Sequence, residues 1–239
     1  MLSASRLRLA AIWSTVAAWL VLGYLAWFVA PDWSNAPDVS APLTRKLLFY
    51  HPASAWASFL AYTLVFAASI VYLRERDLRR DTFARSAAEV GFLFNTIALA
   101  TGTAWGWAEW QRAGQNAIAT IYTDPKVVVV LIMWFVFAAY LMLRRLVDEP
   151  ERRARLAAVF GILGFTCAPL SFLASRVLAS SLHPDVAGPG ANADAAVGAQ
   201  VGMIIGFSMI AYTLLFLALF LQRLRLARLE ERIELLEVS

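Results

Sequence analysis

The stretch ASAWASFLAYTLVFAASIVYL, Ala53–Leu73, runs for 21 residues without a charge. A helix needs roughly 20 mainly apolar residues to cross the hydrocarbon of a bilayer, so this run has the length and character of a membrane span. Five further runs share it: Leu9–Val29, Ala87–Ala104, Val127–Leu143, Leu156–Leu178 and Val197–Leu221. The expected fold is all-α, a polytopic membrane protein of about six transmembrane helices, built as one domain over residues 1–239. Composition agrees. The chain is 60% hydrophobic and 16% charged, against about 45–50% and about 25% in soluble domains. The apolar excess is gathered into runs, which excludes a soluble fold.

The charges between the runs set the orientation. Arg6 and Arg8, the 74–86 segment, the 144–155 segment and the tail together hold sixteen of the basic residues, whereas Arg45, Lys46, Arg112, Lys126 and Arg176 on the other side make five. The positive-inside rule then places both termini in the cytoplasm, and His51 and His183 on the outer side of a plasma (inner) membrane. The net charge of +4 flanks the apolar runs and forms no basic domain, so it is a topology signal and not a nucleic-acid surface. The first run exceeds the about 7–15 residue core of a cleaved signal and is expected to stay as a helix. The cytoplasmic tail, 222–239, is charged and Leu-rich and is expected to prolong the last helix. No Walker motif, no GxGxxG and no soluble catalytic domain occurs, so the chain is not expected to be an enzyme, and any dependence on ATP requires a partner.

The chain has two histidines, and both fall at helix ends on the outer side. Each precedes a proline, Pro52 and Pro184. Proline suits the first turn of a helix, where its missing N–H would lack a partner anyway, and this puts His51 at a helix mouth. Two neutral imidazoles at one face can ligate a haem iron axially; two unrelated interfacial histidines would read the same. A lone Cys167 within an apolar run excludes an intrachain disulfide framework and a multi-cysteine metal site.

The outer segment 101–126 opens with three tryptophans, Trp105, Trp107 and Trp110. Tryptophan collects at membrane interfaces because an apolar ring carries a polar N–H. The same residues could instead form an aromatic shelf for a planar ligand, with Gly102 and Gly106 allowing close approach. Composition leaves both readings open. Lys46, Arg112, Lys126 and Arg176 are the nearby cations, and Lys46 and Lys126 are the candidates for pairing with porphyrin propionates. Asn95 in the third run is expected to bond across helices.

Three stretches carry a resemblance. They are Lys46-Leu-Leu-Phe-Tyr-His51-Pro-Ala-Ser-Ala-Trp56, the run from Gly91 to Trp110 with Thr101-Gly102 and Trp105-Gly106-x-x-x-Trp110, and Asp124-Pro125-Lys126. With the six runs and the position of His183, they resemble the CcmC family, also called haem exporter protein C. These are haem-handling proteins of cytochrome c maturation with a tryptophan-rich "WWD" domain. The chain departs from the family pattern in three places. Pro52-Ala53 follows His51 where the family has Val-Pro, and Gln111–Thr123 replaces a shorter tryptophan-packed run. Lys126 stands for an arginine, which keeps the charge and loses the bidentate fork.

The resemblance implies that His51 and His183 are the axial ligands of a haem b that is presented or transported. It implies that Trp105, Gly106, Trp110 and Asp124 border the haem, and that a haem chaperone of the CcmE type accepts it. The companions it implies are the ABC transporter subunits CcmA and CcmB and the small membrane subunit CcmD, alongside membrane lipid. Two other functions compete with it. One is a permease subunit that binds no haem, which would need polar or broken helices at mid-membrane. The other is a b-type electron-transfer cytochrome, whose histidines would lie within the spans.

Overall fold

The computed structural model describes residues 4–31, 42–110, 116–177, 181, 183 and 198–237. Among them the backbone forms eight α-helices and no strand. These are α1 (Ala4–Tyr24), α2 (Pro42–Arg45), α3 (His51–Glu75), α4 (Leu78–Trp110), α5 (Ala117–Thr123), α6 (Pro125–Leu146), α7 (Pro150–Val177) and α8 (Ala199–Glu237). A π-helical turn, Leu25–Val29, extends α1, and a 3₁₀ turn, Lys46–Phe49, leads into α3.

The protein is an all-α, multi-pass membrane protein. Five segments are long and apolar enough to span a bilayer: Leu9–Val29, Leu43–Glu75, Pro125–Leu146, Pro150–Val177 and Ala199–Ile233. The sixth expected run, Ala87–Ala104, is the middle of α4. Its interior carries Asn95, Thr96, Thr101, Gly102 and Thr103, which make it less apolar than the other five. It nevertheless lies antiparallel along α3, with Gly102 against His51 and Gly91 against Ala61. The aromatic segment is helical too, since α4 continues to Trp110. At the far end, α8 runs unbroken through 222–237.

Packing follows side-chain size. Tyr62 of α3 stacks on Phe137 of α6 with ring centroids 3.5 Å apart. The first half of α7 buries Ala154, Ala157, Ala158, Gly161 and Gly164. At Gly161 a Cβ would fall 2.8 Å from Val65 Cγ1, so only a glycine lets α7 come this close to α3. Small residues are how membrane helices gain contact, because lipid supplies no hydrophobic drive between them.

One end of the bundle holds the tight turns at Arg76–Asp77 and Val147–Glu149 and is tied by ion pairs. Arg144 of α6 meets Asp81 of α4 with two hydrogen bonds, 2.7 and 2.5 Å. Arg223 of α8 and Arg85 both pair with Glu89. The opposite end gathers the residues singled out above.

Candidate functional site

The site grows from the start of α3. His51 is the first residue of the helix and Pro52 follows in its first turn. The His51 ring reaches across to α4, where Nδ1 donates to the Ala98 carbonyl at 3.0 Å. A carbonyl can only accept, so Nδ1 carries the proton and Nε2 of the neutral ring keeps a lone pair. Metal-binding histidines are commonly oriented in this way, by a backbone acceptor on the other nitrogen. Gly102 makes room for the ring, because a Cβ there would sit 2.7 Å from His51 Cε1.

His183 faces His51 although it lies 132 positions later in the chain. The two ring centroids are 6.1 Å apart, with planes inclined by 54°. Two imidazoles bound to one metal at about 2.0–2.1 Å hold their centroids about 6 Å apart. The spacing therefore fits one metal centre between them. No group of three or more His, Cys, Asp or Glu that could hold a metal occurs among the described residues, so these two rings form no part of a larger cluster of that kind.

Trp105 and Trp110 stand edge-on to His183, with centroids at 6.3 and 6.1 Å, and edge-on to each other at 6.1 Å. The two indoles abut the His183 ring edge-on and do not form the flat shelf that was one of the two readings composition left open. Trp107 is 44% exposed and points away.

A cavity of about 220 Å³ opens between the rings. His51, His183, Trp105, Trp110 and Lys126 line it, as do Trp56, Phe59, Asn95, Ile121, Phe172 and Arg176. The wall is mostly apolar. Lys126 Nζ and the Arg176 guanidinium stand over the Phe172 ring, at 5.5 and 5.2 Å from its centroid. At the floor, Asn95 Nδ2 donates to Tyr62 at 3.4 Å and bonds across helices.

Three residues named from the sequence lie outside the lining. Lys46 donates to the Ala26 carbonyl at 2.8 Å, a group exposed by the π-helical turn at the end of α1. Gly106 lies under Ile121, where a Cβ would meet Cγ1 at 3.2 Å. Asp124 is 3% exposed and caps α6, accepting from the Lys126 and Val127 amides at 3.0 and 3.3 Å. Its other oxygen accepts from Ser181 Oγ at 2.9 Å, and Ser181 Oγ accepts from the His183 amide at 3.3 Å. Asp124 thus anchors the segment that carries His183. Sequence reading missed Ser181, although a hydroxyl two positions before a ligand candidate was a usable signal. Of the altered 111–123 run, 116–123 form an Asn116-capped helix whose Ile121 reaches the cavity; positions 111–115, with Arg112, lie outside the described residues. So do residues 179–196 apart from Ser181 and His183.

The cytochrome c assembly protein family model matches residues 1–183. A heme exporter protein C from Paracoccus denitrificans is 28% identical over 219 residues, 87% of this chain and 81% of its own. A heme exporter protein C from Bradyrhizobium diazoefficiens is 31% identical over 151 residues, 63% of this chain and 53% of its own. The chain thus spans about half the length of that relative. A cytochrome c biogenesis protein CcsA from Prochlorococcus marinus is 31% identical over 111 residues, 45% of this chain and 31% of its own. With two histidines facing across an apolar, tryptophan-edged cavity, the chain belongs to the cytochrome c assembly protein family and, within it, to the CcmC or haem exporter protein C group.

Proposed function

We propose that this protein binds haem b between His51 and His183 at the extracytoplasmic end of the bundle and presents it for cytochrome c maturation. The observation that carries this reading is the 6.1 Å separation of the two imidazoles inside an apolar cavity. His51 Nε2 is left unprotonated by the Ala98 hydrogen bond, which prepares that ring for iron. Trp105 and Trp110 hold the second imidazole in place. Lys126 and Arg176, at the Phe172 rim, are the cations best placed to meet propionates. Lys46 is engaged at the α1 carbonyl and ranks behind them.

The protein's part is ligation and orientation, while the porphyrin and its vinyl groups carry the reactive chemistry. The acceptor is a haem chaperone of the CcmE type, and CcmA, CcmB and CcmD are the companions. The similarity to heme exporter proteins supports a haem-handling role. The membrane is the plasma membrane, with the haem end outward, as the distribution of arginines indicates.

The test is an absorption spectrum of the purified full chain, oxidised and reduced, beside His51→Ala and His183→Ala. A bis-imidazole haem spectrum that changes in each single variant is the expected result. Unchanged haem content in the double variant would sink the axial assignment. A haem-free wild type, even when co-expressed with the chaperone, would favour a permease subunit.

A further inference from the structure

Beside the cavity lies a second hollow that the histidine site does not use. It is a groove of about 630 Å³ on the flank of the bundle, between α3 and α7. Phe59 and Thr63 of α3 line it with Phe165, Ala168, Pro169, Phe172, Leu173 and Arg176 of α7. Phe59, Phe172 and Arg176 also line the histidine cavity, so the two spaces share a wall.

The groove has a physical origin in α7. Below it, the alanines and glycines of α7 close tightly on α3, and Phe66 stacks on Phe165 with centroids 4.6 Å apart. Within it, Pro169 lies inside α7 and denies the Phe165 carbonyl its usual N–H partner. The next aromatic pair, Phe59 and Phe172, is 6.3 Å apart and tilted. The groove follows α7 from Phe165 to Arg176, about 16 Å at 1.5 Å per residue. Leu170, Phe172 and Leu173 around it are about half exposed within a membrane-spanning segment, so the groove faces lipid.

We infer that haem reaches the histidine site sideways from the bilayer, through the α3–α7 groove and past the Phe59–Phe172 pair. This rests on the haem reading above. Two further observations support it. First, Phe59, Phe172 and Arg176 line both hollows, so a single wall of side chains separates the lipid-facing groove from the two imidazoles. Second, the wall between the two hollows is made of side chains. Phe172 is half exposed, and exposed side chains change rotamer in picoseconds to nanoseconds, so the passage opens without moving a helix. The chemistry suits an apolar disc with an anionic edge. The groove is apolar along its length, and cations stand only at the threshold, where Lys126 and Arg176 lie over Phe172. A neutral lipid chain would gain nothing from those two charges.

The experiment uses the full chain in lipid vesicles, mixed with vesicles carrying hemin, and follows the growth of the bis-imidazole absorption. Thr63→Trp and Leu173→Trp each fill the groove without touching the histidine cavity. Leu170→Trp, on the same lipid-facing surface but outside the groove, is the reference. Groove variants are expected to load at least tenfold more slowly, reach the wild-type endpoint and keep the wild-type hemin affinity in detergent; Leu170→Trp is expected to load like wild type. Wild-type loading rates in both groove variants would overturn the lateral route and leave the groove a lipid contact. Equal slowing in Leu170→Trp would overturn it as well, as a general effect of added tryptophan. Failure of the wild type to take up hemin in vesicles and in detergent alike would instead refute the haem reading itself.

Discussion

The His51 imidazole occupies the space that a side chain at Gly102 would need, with an ideal Cβ at that glycine falling 2.7 Å from His51 Cε1. The atom in the way is the end of a movable side chain, so a substitution displaces the histidine and leaves the helices where they are.

Gly102→Ala is therefore expected to separate stability from binding. Alanine in a helix interior is favoured over glycine by about 1 kcal/mol, which offsets the local crowding. Helix content and thermal stability in detergent should be unchanged within a few degrees. Haem content or the axial-ligand spectrum should change, because the Ala98 hydrogen bond can no longer hold the ring. Circular dichroism and absorption on the same sample check this, and a wild-type haem spectrum would disprove the coupling.

Asp124 joins two tasks, capping α6 and holding Ser181. Asp124→Ala removes both and is expected to cost about 0.5–2 kcal/mol through the cap alone, together with weaker hemin binding. Asp124→Asn keeps an oxygen for the cap but puts an NH2 donor where Oδ2 accepted from Ser181, so it should hold the melting temperature and weaken hemin binding. Ser181→Ala spares the cap, and should weaken hemin binding without lowering the melting temperature. Hemin titrations and thermal melts of the three variants decide it. Parallel losses of stability and affinity in Ser181→Ala would contradict the division of labour.

The Asp81–Arg144 pair is nearly buried, with side chains 10% and 8% exposed. Removing one partner leaves an uncompensated buried charge, at a cost of about 3–5 kcal/mol. Arg144→Met and Asp81→Asn should each lower the melting temperature sharply, and the double variant should recover much of the loss. Hemin affinity should be unaffected in whatever fraction remains folded, because the pair lies at the opposite end of the bundle from His51. If the double variant is as unstable as the sum of the singles, the two groups do not act as a pair.

Much of the architecture was legible before any coordinates. Five expected runs coincide with helices long and apolar enough to span a bilayer. The sixth, Ala87–Ala104, is the interior of α4, less apolar than the other five because of Asn95 and its threonines. The tryptophans were conspicuous, yet their use was not. Nothing in Trp105-Gly-Trp-Ala-Glu-Trp110 says that the first and last grip an imidazole while the middle one faces outward. Only the placing of His183, brought against α4 from a distant part of the chain, decides it.

The sequence by itself determined the number and approximate limits of the membrane runs, the charge bias between their ends and the placing of both histidines at one end. Those are local properties, fixed by how many apolar residues stand in a row and by which charges flank them. Only the tertiary structure decided that His51 and His183 face one another across 132 positions, that Gly102 yields space to a ring, that Asp124 works through Ser181 and that α3 and α7 leave a groove between them. Each of these depends on how a helix is rotated and how closely it approaches its neighbour. One residue of slip turns a side chain by about 100°, and the packing of small against large side chains, which no single run contains, settles the angle.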